Sequence, residues 1–149
     1  MYLDSAIIVK LLVREADSDW FAVNLAGHKF VTSELALAEV RSALLSRERG
    51  GHLTQRERVV AAEKFISMIE AEYIRLLPLN RPALDRTSAI QLACHPRVPL
   101  RTLDALHVAT CDLHHGSGMC ATDGRIRAAC RQLGIALTPE NVEELPQPK

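Results

Sequence analysis

The sequence predicts an α/β fold, in which a mostly parallel central sheet is flanked by helices on both faces. The first observation is that short apolar runs alternate with longer segments of helical periodicity, a pattern typical of parallel strands joined by helices. The second is size, because 149 residues with 48% hydrophobic content suit one aliphatic core rather than two. There is no internal repeat or linker, so we expect a single domain over residues 1–149, with a surface tail from about residue 139.

The first half of the chain carries start and stop signals for four helices. The run of polar residues that begins at Asp17 is expected to cap a short helix ending at Gly27, and Ser33 is the expected N-cap of a longer helix. Thr54 and Glu57 have the spacing of a capping box. Apolar runs before these helices predict strands. Strands are therefore expected over residues 1–3, 28–31 and 73–77, and helices over residues 5–14, 18–27, 33–49 and 54–71.

The second half continues the alternation. Asn80 is a suitable N-cap, Pro82 is tolerated in the first helical turn, and Pro96 ends that helix. Thr102 is the expected N-cap of the next helix, and Gly134 ends the last one. Helices are therefore expected over residues 80–95, 102–115 and 124–133, and strands over residues 118–122 and 135–137.

Global charge does not indicate a nucleic-acid-binding protein. The formal net charge is +0 and the isoelectric point is about 7.0, so any phosphate-binding surface must be local. The four cysteines show no close pairing and are expected to be reduced core residues. The apolar run over residues 6–13 lacks a basic leader, and no run approaches the roughly 20 apolar residues of a membrane span. We expect a cytoplasmic protein without a membrane segment.

Four carboxylates lie where apolar or small residues would be ordinary. Asp4 and Asp123 directly follow the first and fourth predicted strands, the end at which open parallel sheets bind ligands. Asp104 lies in the first turn of a predicted helix, where the macrodipole favours negative charge. Glu39 has apolar or small neighbours one turn before and after it, so it is expected to point inward.

Convergence of these acids would require cations. Two carboxylates about 5 Å apart at an effective dielectric near 20 repel by roughly 3 kcal/mol, and the chemistry that uses such a cluster is Mg²⁺- or Mn²⁺-dependent phosphodiester cleavage. Simpler interpretations exist: Asp4 and Asp123 could cap helices, and Asp104 could serve only the helix dipole. Glu39 is harder to explain in this way, because a glutamate on an apolar helix face needs a partner.

Four segments carry a family resemblance, in order along nearly the whole chain: YLDSAIIVKLL, TSELALAEVRSALL, PLRTLDALHVAT and CATDGRIRAACRQLGI. They resemble the successive motifs of PIN-domain ribonucleases, most closely VapC-type toxins of bacterial toxin–antitoxin pairs. The resemblance implies a three-layer PIN-like fold with Asp4, Glu39, Asp104 and Asp123 around Mg²⁺ or Mn²⁺. It also implies an RNA substrate, a homodimer and a cognate antitoxin protein.

Several neighbouring residues are candidates for supporting roles. The family commonly has a hydroxyl residue two positions before its last acid, whereas this chain has Ala121 there and Thr122 next to the acid. Ser5 could supply such a hydrogen bond or could simply be an N-cap. Three arginines near the acids are candidates for RNA binding, although each could be an ordinary exposed charge: Arg41, Arg101 and Arg125.

Two other kinds of site need to be weighed. A zinc site could be drawn from Cys111, His114, His115 and Cys120, but their spacing does not match a compact zinc motif. His107 could orient a site residue, although a packed helix histidine is the simpler interpretation. The alternative to an enzyme is a catalytically inactive PIN-like module that binds RNA or protein, for which clustered acids have no evident use.

Overall fold

The computed structural model describes residues 1–114 and 118–146. The described residues form five strands, seven α-helices and one 3₁₀ helix, Val142–Glu144. The strands are β1 (Tyr2–Leu3), β2 (Phe30–Ser33), β3 (Ile74–Leu77), β4 (Met119–Cys120) and β5 (Leu137–Thr138). The helices are α1 (Ser5–Leu12), α2 (Ser18–Asn24), α3 (Leu35–Arg49), α4 (Gln55–Glu70), α5 (Arg81–Cys94), α6 (Thr102–Leu113) and α7 (Gly124–Leu133). The predicted end of the sixth helix at His115 lies outside the described residues.

All strand pairs in the sheet are parallel, in the order β3-β2-β1-β4-β5. The strand order therefore reverses at β1, because the chain adds β2 and β3 on one side and β4 and β5 on the other. Leu3 is in register with Cys120, and the backbone N–H of Asp4 donates to the Cys120 carbonyl at 3.0 Å. The segments that leave β1 and β4 thus run side by side where an open parallel sheet forms its ligand crevice.

Two hydrophobic cores cover the two faces of the sheet, which makes the fold three-layered. Neighbouring residues of a strand point to opposite faces, and so Leu3 lies in one core and Tyr2 in the other. The first core joins the sheet to α1, α2, α3 and α4, with Ile7, Phe21, Val40 and Phe65 among its members. The second joins it to α5, α6 and α7, with Ile90, Val108 and Ile126 among its members. The predicted α/β fold is confirmed.

The helix starts follow the predicted capping residues in two cases. Thr54 accepts from the Glu57 N–H at 3.2 Å while the Glu57 carboxylate accepts from the Thr54 N–H at 2.7 Å, a complete capping box. The Asn80 side chain accepts from the Ala83 N–H at 3.2 Å. At α6 the prediction is wrong by one residue, because Thr102 is the first helical residue and Arg101 stands at the N-cap position.

The second strand begins and ends later than predicted, over Phe30–Ser33 rather than residues 28–31. Ser33 is therefore the last strand residue and not a helix N-cap, although its hydroxyl accepts from the Leu35 N–H at 3.2 Å. The cause is that Thr32 and Ser33 are polar but fully buried, and Thr32 donates to the Leu3 carbonyl at 2.8 Å. A strand whose buried residues carry hydroxyl groups cannot be recognised in the sequence as an apolar run.

The remaining outer strands also differ in their limits. β4 is shorter than the predicted residues 118–122, and β5 lies two residues later than the predicted start at 135. Beyond Pro139, residues 140–144 are exposed, whereas Leu145 is 7% exposed and packs in the first core. The four cysteines are buried, as predicted for core residues, and they form no disulfide in the described structure. Over the described residues, no helix is long and apolar enough to cross a membrane.

Candidate active site

Asp4 and Asp123 follow the neighbouring strands β1 and β4 at the point where the strand order reverses. Asp123 caps α7, and its Oδ1 accepts from the backbone N–H groups of Arg125 at 2.7 Å and Ile126 at 3.2 Å. Asp4 occupies the equivalent position before α1 but makes no side-chain capping hydrogen bond. Capping therefore accounts for one oxygen of Asp123 and does not account for Asp4, which is buried at 6% exposure.

Asp104 lies in the first turn of α6, as predicted. Its Oδ2 is buried and has no hydrogen-bond partner among the described residues, and the nearest cation, Arg125 Nη1, is 3.7 Å away. Burial and the charge of Asp123 raise the pKa of Asp104, against the opposing effects of Arg125 and Arg101. A buried acceptor without a donor is costly, so this oxygen is the clearest sign of a missing positive ligand.

Electrostatic interactions connect all four predicted acids. Burial raises the pKa of Asp4, the ring of His107 opposes this, and the negative charges of Glu39 and Asp123 add to the increase. Asp104 in turn interacts with Asp123. The elements that carry these residues, α3, α6 and the ends of β1 and β4, thus bring the four carboxylates into one anionic region.

Glu39 is the best anchored of the four. Its Oε2 accepts from the Ser5 hydroxyl at 2.6 Å and lies 2.5 Å from His107 Nε2. Burial alone would raise the pKa of Glu39, but the hydrogen bond and charge of the His107 ring, together with Ser5, lower it. Glu39 is consequently ionised at neutral pH. Ser5 acts in this hydrogen-bonded group and is the first helical residue of α1 rather than its N-cap.

Sequence reasoning underestimated His107, for which packing was the simpler interpretation. The ring is 2% exposed, and its Nε2 approaches Glu39 at 2.5 Å, Ser5 Oγ at 3.3 Å and Asp4 Oδ1 at 3.9 Å. Its Nδ1 is 2.8 Å from the hydroxyl of Tyr2. The available signal was spacing, since His107 follows Asp104 by three residues and therefore shares its side of α6.

Arg127 is a second residue that sequence reasoning missed. It is 2% exposed, and its guanidinium donates to three backbone carbonyls: Ala121 at 2.9 Å, Pro139 at 2.9 Å and Glu140 at 2.8 Å. Arg127 thereby ties the loop before Asp123 to the segment that follows β5. Its signal in the sequence was an arginine on the face of α7 that carries Ile126 and Cys130, both buried.

The other predicted residues differ in how close they lie to the acids. Arg125 forms the ion pair with Asp104, and Arg101 is exposed and acts on the Asp104 charge. Arg41 is exposed and lines a groove of about 240 Å³ between α3 and α4. Thr122 is half-buried in the loop before Asp123 and takes no part in the hydrogen bonds around Glu39.

The donor set fits a hard divalent cation. Carboxylate oxygens are the ligands that Mg²⁺ and Mn²⁺ prefer, and the unpartnered Oδ2 of Asp104 is available to one. Among residues 1–114 and 118–146, no group of three or more His, Cys, Asp or Glu side chains stands close enough together to hold a metal ion, so the fit lies in the chemical type of the donors. Cys111, His114 and Cys120 form no group that could hold a zinc ion within the described residues; His115, another member of the predicted group, lies outside them.

Comparison with known proteins gives two matches. The family description of the PIN domain matches residues 1–132. Over 143 residues, the chain is 34% identical to Ribonuclease VapC46 of Mycobacterium tuberculosis (strain ATCC 25618 / H37Rv), and the match covers 92% of this chain and 95% of that protein. The family match includes the β1, α3, α6 and β4 regions that carry the four carboxylates.

Proposed function

Since this chain belongs to the PIN-domain family, we propose that it is a divalent-cation-dependent endoribonuclease that hydrolyses RNA phosphodiester bonds. The observation that carries the proposal is the gathering of four carboxylates at the point of reversed strand order, with a buried Asp104 oxygen that lacks a donor. A fold without such chemistry has no reason to keep a carboxylate oxygen out of water without a hydrogen-bond donor.

The acids have separable roles in this proposal. Asp4 and Asp104 are the direct ligands of Mg²⁺ or Mn²⁺, because Asp4 makes no side-chain capping hydrogen bond and Oδ2 of Asp104 has no hydrogen-bond partner among the described residues, whereas Oδ1 of Asp123 caps α7. The chemistry supplied by a bound ion is to lower the pKa of a water molecule and to offset charge on the phosphate. Glu39 and Asp123 contribute to a second ion site or orient the attacking water.

Positive charge for the substrate comes from the side of α6 and α7. Arg125 stands 3.7 Å from Asp104 and is half-buried, and Arg101 is exposed at the start of α6. Both can meet phosphates that approach the carboxylates, and arginine suits phosphate recognition because its planar fork offers two parallel hydrogen bonds. Arg41 is the weaker candidate, since it lines the groove between α3 and α4.

The biological role proposed is that of a toxin held in check by an antitoxin, as in VapC-type pairs, in the cytoplasm and as a homodimer. The groove between α3 and α4 is a candidate site for the antitoxin. Its lining includes Leu45 and Val59, both 38% exposed, and Val60 on the same helix is 56% exposed. An amphipathic helix in a groove of this kind buries apolar side chains that would otherwise contact water, and in this proposal an arginine of the antitoxin reaches the acids.

The test is RNA cleavage by the purified protein with Mg²⁺ or Mn²⁺ and with EDTA. We expect cleavage to require the cation and to be lost in Asp4→Asn and Asp104→Asn, which retain the fold. Asp85→Asn is the matched control, because Asp85 is exposed on α5 and its only ion pair within residues 1–114 and 118–146 is with Arg81. Mapping RNA ends after expression in cells that lack the antitoxin would then identify the cleavage sequence. RNA binding that is indifferent to cations and to Asp4→Asn, without cleavage, would favour the inactive module instead.

A further inference from the structure

We propose that His107 is a positioning residue, which holds one oxygen of Glu39 so that the other faces the cation site. The inference rests on the proposed function, and the residue that it assigns lies outside the four carboxylates. It follows from three features of the hydrogen-bonded group formed by Tyr2, Ser5, Glu39 and His107.

The first feature is that both donors converge on the same oxygen of Glu39. Oε2 accepts from Ser5 at 2.6 Å and from His107 at 2.5 Å. Among the described residues, Oε1 has no such donor. The carboxylate is therefore divided into an oxygen anchored to the protein and one left for an external positive ligand, and its rotation about the last side-chain bond is restricted.

The second feature is that a hydrogen must lie on His107 Nε2 when Glu39 is ionised. Two acceptors 2.5 Å apart would repel, so the tautomer with a bare Nε2 is excluded. The Tyr2 hydroxyl is compatible with both remaining forms of the His107 ring, the neutral ring with its hydrogen on Nε2 and the charged ring. The hydroxyl can donate to Nδ1 of a neutral ring, or accept from Nδ1–H of a charged one, at the observed 2.8 Å. Burial raises the pKa of Tyr2, so the hydroxyl retains its proton.

The third feature is that the ring itself is held rigidly. Tyr2 is fully buried, it packs edge-on against the ring with centroids 5.9 Å apart, and its hydroxyl accepts from the Ser33 N–H at 3.0 Å. A chain of contacts thus runs from the backbone of β2 through Tyr2 on β1 and His107 on α6 to Glu39 on α3. Donors that are fixed in this way orient a carboxylate ligand and commonly change metal affinity by 10- to 100-fold when removed.

The test compares His107→Asn with His107→Gln. The amide nitrogen of glutamine falls near the position of Nε2 and can still donate to Glu39, whereas that of asparagine falls near Nδ1 and cannot. We expect His107→Asn to weaken Mn²⁺ binding about 10-fold or more and to lower kcat for RNA cleavage with little change in KM. His107→Gln should restore both to within a few-fold of wild type. Mn²⁺ binding is measured by calorimetry, without RNA.

Thermal unfolding of the cation-free variants separates positioning from packing. If both variants lose Mn²⁺ affinity equally and in proportion to a fall in Tm, His107 is a core residue and the inference is overturned. Wild-type affinity and kcat in a folded His107→Asn variant would also overturn it, while leaving the proposed function intact. A wild-type protein that neither binds Mn²⁺ nor cleaves RNA overturns both.

A variant that keeps the ring covers the case in which His107→Asn does not fold. Tyr2→Phe preserves the buried aromatic packing but removes the hydroxyl that holds Nδ1. We expect it to weaken Mn²⁺ binding by several-fold, because the ring is then free to turn its hydrogen away from Glu39. Unchanged Mn²⁺ affinity in folded Tyr2→Phe would count against the positioning role.

Discussion

Replacing Arg127 by methionine should destabilise the protein severely although no apolar group is lost. Methionine keeps the length and apolar stem of the side chain and removes the guanidinium that donates to the Ala121, Pro139 and Glu140 carbonyls. The change therefore isolates the three hydrogen bonds from the packing around α7.

The size of the stability loss depends on which of the three carbonyls can hydrogen-bond to water once the guanidinium is gone. Ala121 and Pro139 are buried, and each would be left without its donor at a cost of about 1–3 kcal/mol. Glu140 is exposed and can bond to water instead. The expected loss is about 2–5 kcal/mol in the free energy of unfolding, and a 3 kcal/mol loss corresponds to a fall of about 6–12 °C in Tm for a domain of this size.

Urea unfolding followed by circular dichroism measures this loss, with Arg131→Met as the matched control. Arg131 is exposed one turn later on the same helix, and its replacement should change the free energy of unfolding by about 0.5 kcal/mol or less. A loss below about 1 kcal/mol in Arg127→Met, or equal losses in the two variants, would refute the argument that three backbone carbonyls depend on Arg127.

Three further predictions concern the carboxylates and their arginine. Because the pKa of Asp104 is raised in the folded state, the stabilisation present at low pH is lost as the pH rises through the folded pKa. Asp104→Asn should therefore raise the Tm at pH 7 in EDTA and leave it unchanged near pH 3, as measured by scanning calorimetry. A lower Tm of the variant at pH 7 would contradict this prediction. Asp123→Asn keeps an Oδ1 for the α7 cap, so its unfolding free energy should stay within about 0.5 kcal/mol while RNA cleavage is lost, whereas Asp123→Ala should lose both. Arg125→Ala should weaken RNA binding and reduce its salt dependence by about one counterion, with exposed Arg14→Ala as the control; equal salt slopes would argue against a phosphate contact.

The sequence was sufficient for the layers of the fold because its helices carry local signals. The capping box at Thr54 and the asparagine at Asn80 act within one helical turn, so neighbouring residues determine them. The limits of β2 could not be obtained in the same way. Its final residues are hydroxyl-bearing, and only the partners that surround them, including the Leu3 carbonyl, explain their burial.

The site residues also fall into two groups, those that local sequence features could locate and those whose roles depend on contacts distant in sequence. Asp4, Asp104 and Asp123 could be located from strand ends and helix starts, which are local features. The role of His107 depends on Tyr2 and Glu39, which are 105 and 68 residues away in sequence. Arg127 depends on carbonyls of the segment after β5. Contacts of this kind leave no periodic pattern, so packing was the simpler explanation for His107 and sequence reasoning yielded no prediction for Arg127.

A carboxylate that caps or anchors a helix is not thereby excluded from binding a cation, because it has two oxygens. Asp123 uses Oδ1 for the start of α7, and Glu39 uses Oε2 for Ser5 and His107. The structural and functional explanations, which compete when the sequence is considered alone, can therefore apply to different atoms of one side chain. Anchoring one oxygen limits the rotation of the carboxylate, so the hydrogen bonds that stabilise the fold also orient the second oxygen. Oδ2 of Asp104 differs, because no group among the described residues donates a hydrogen bond to it.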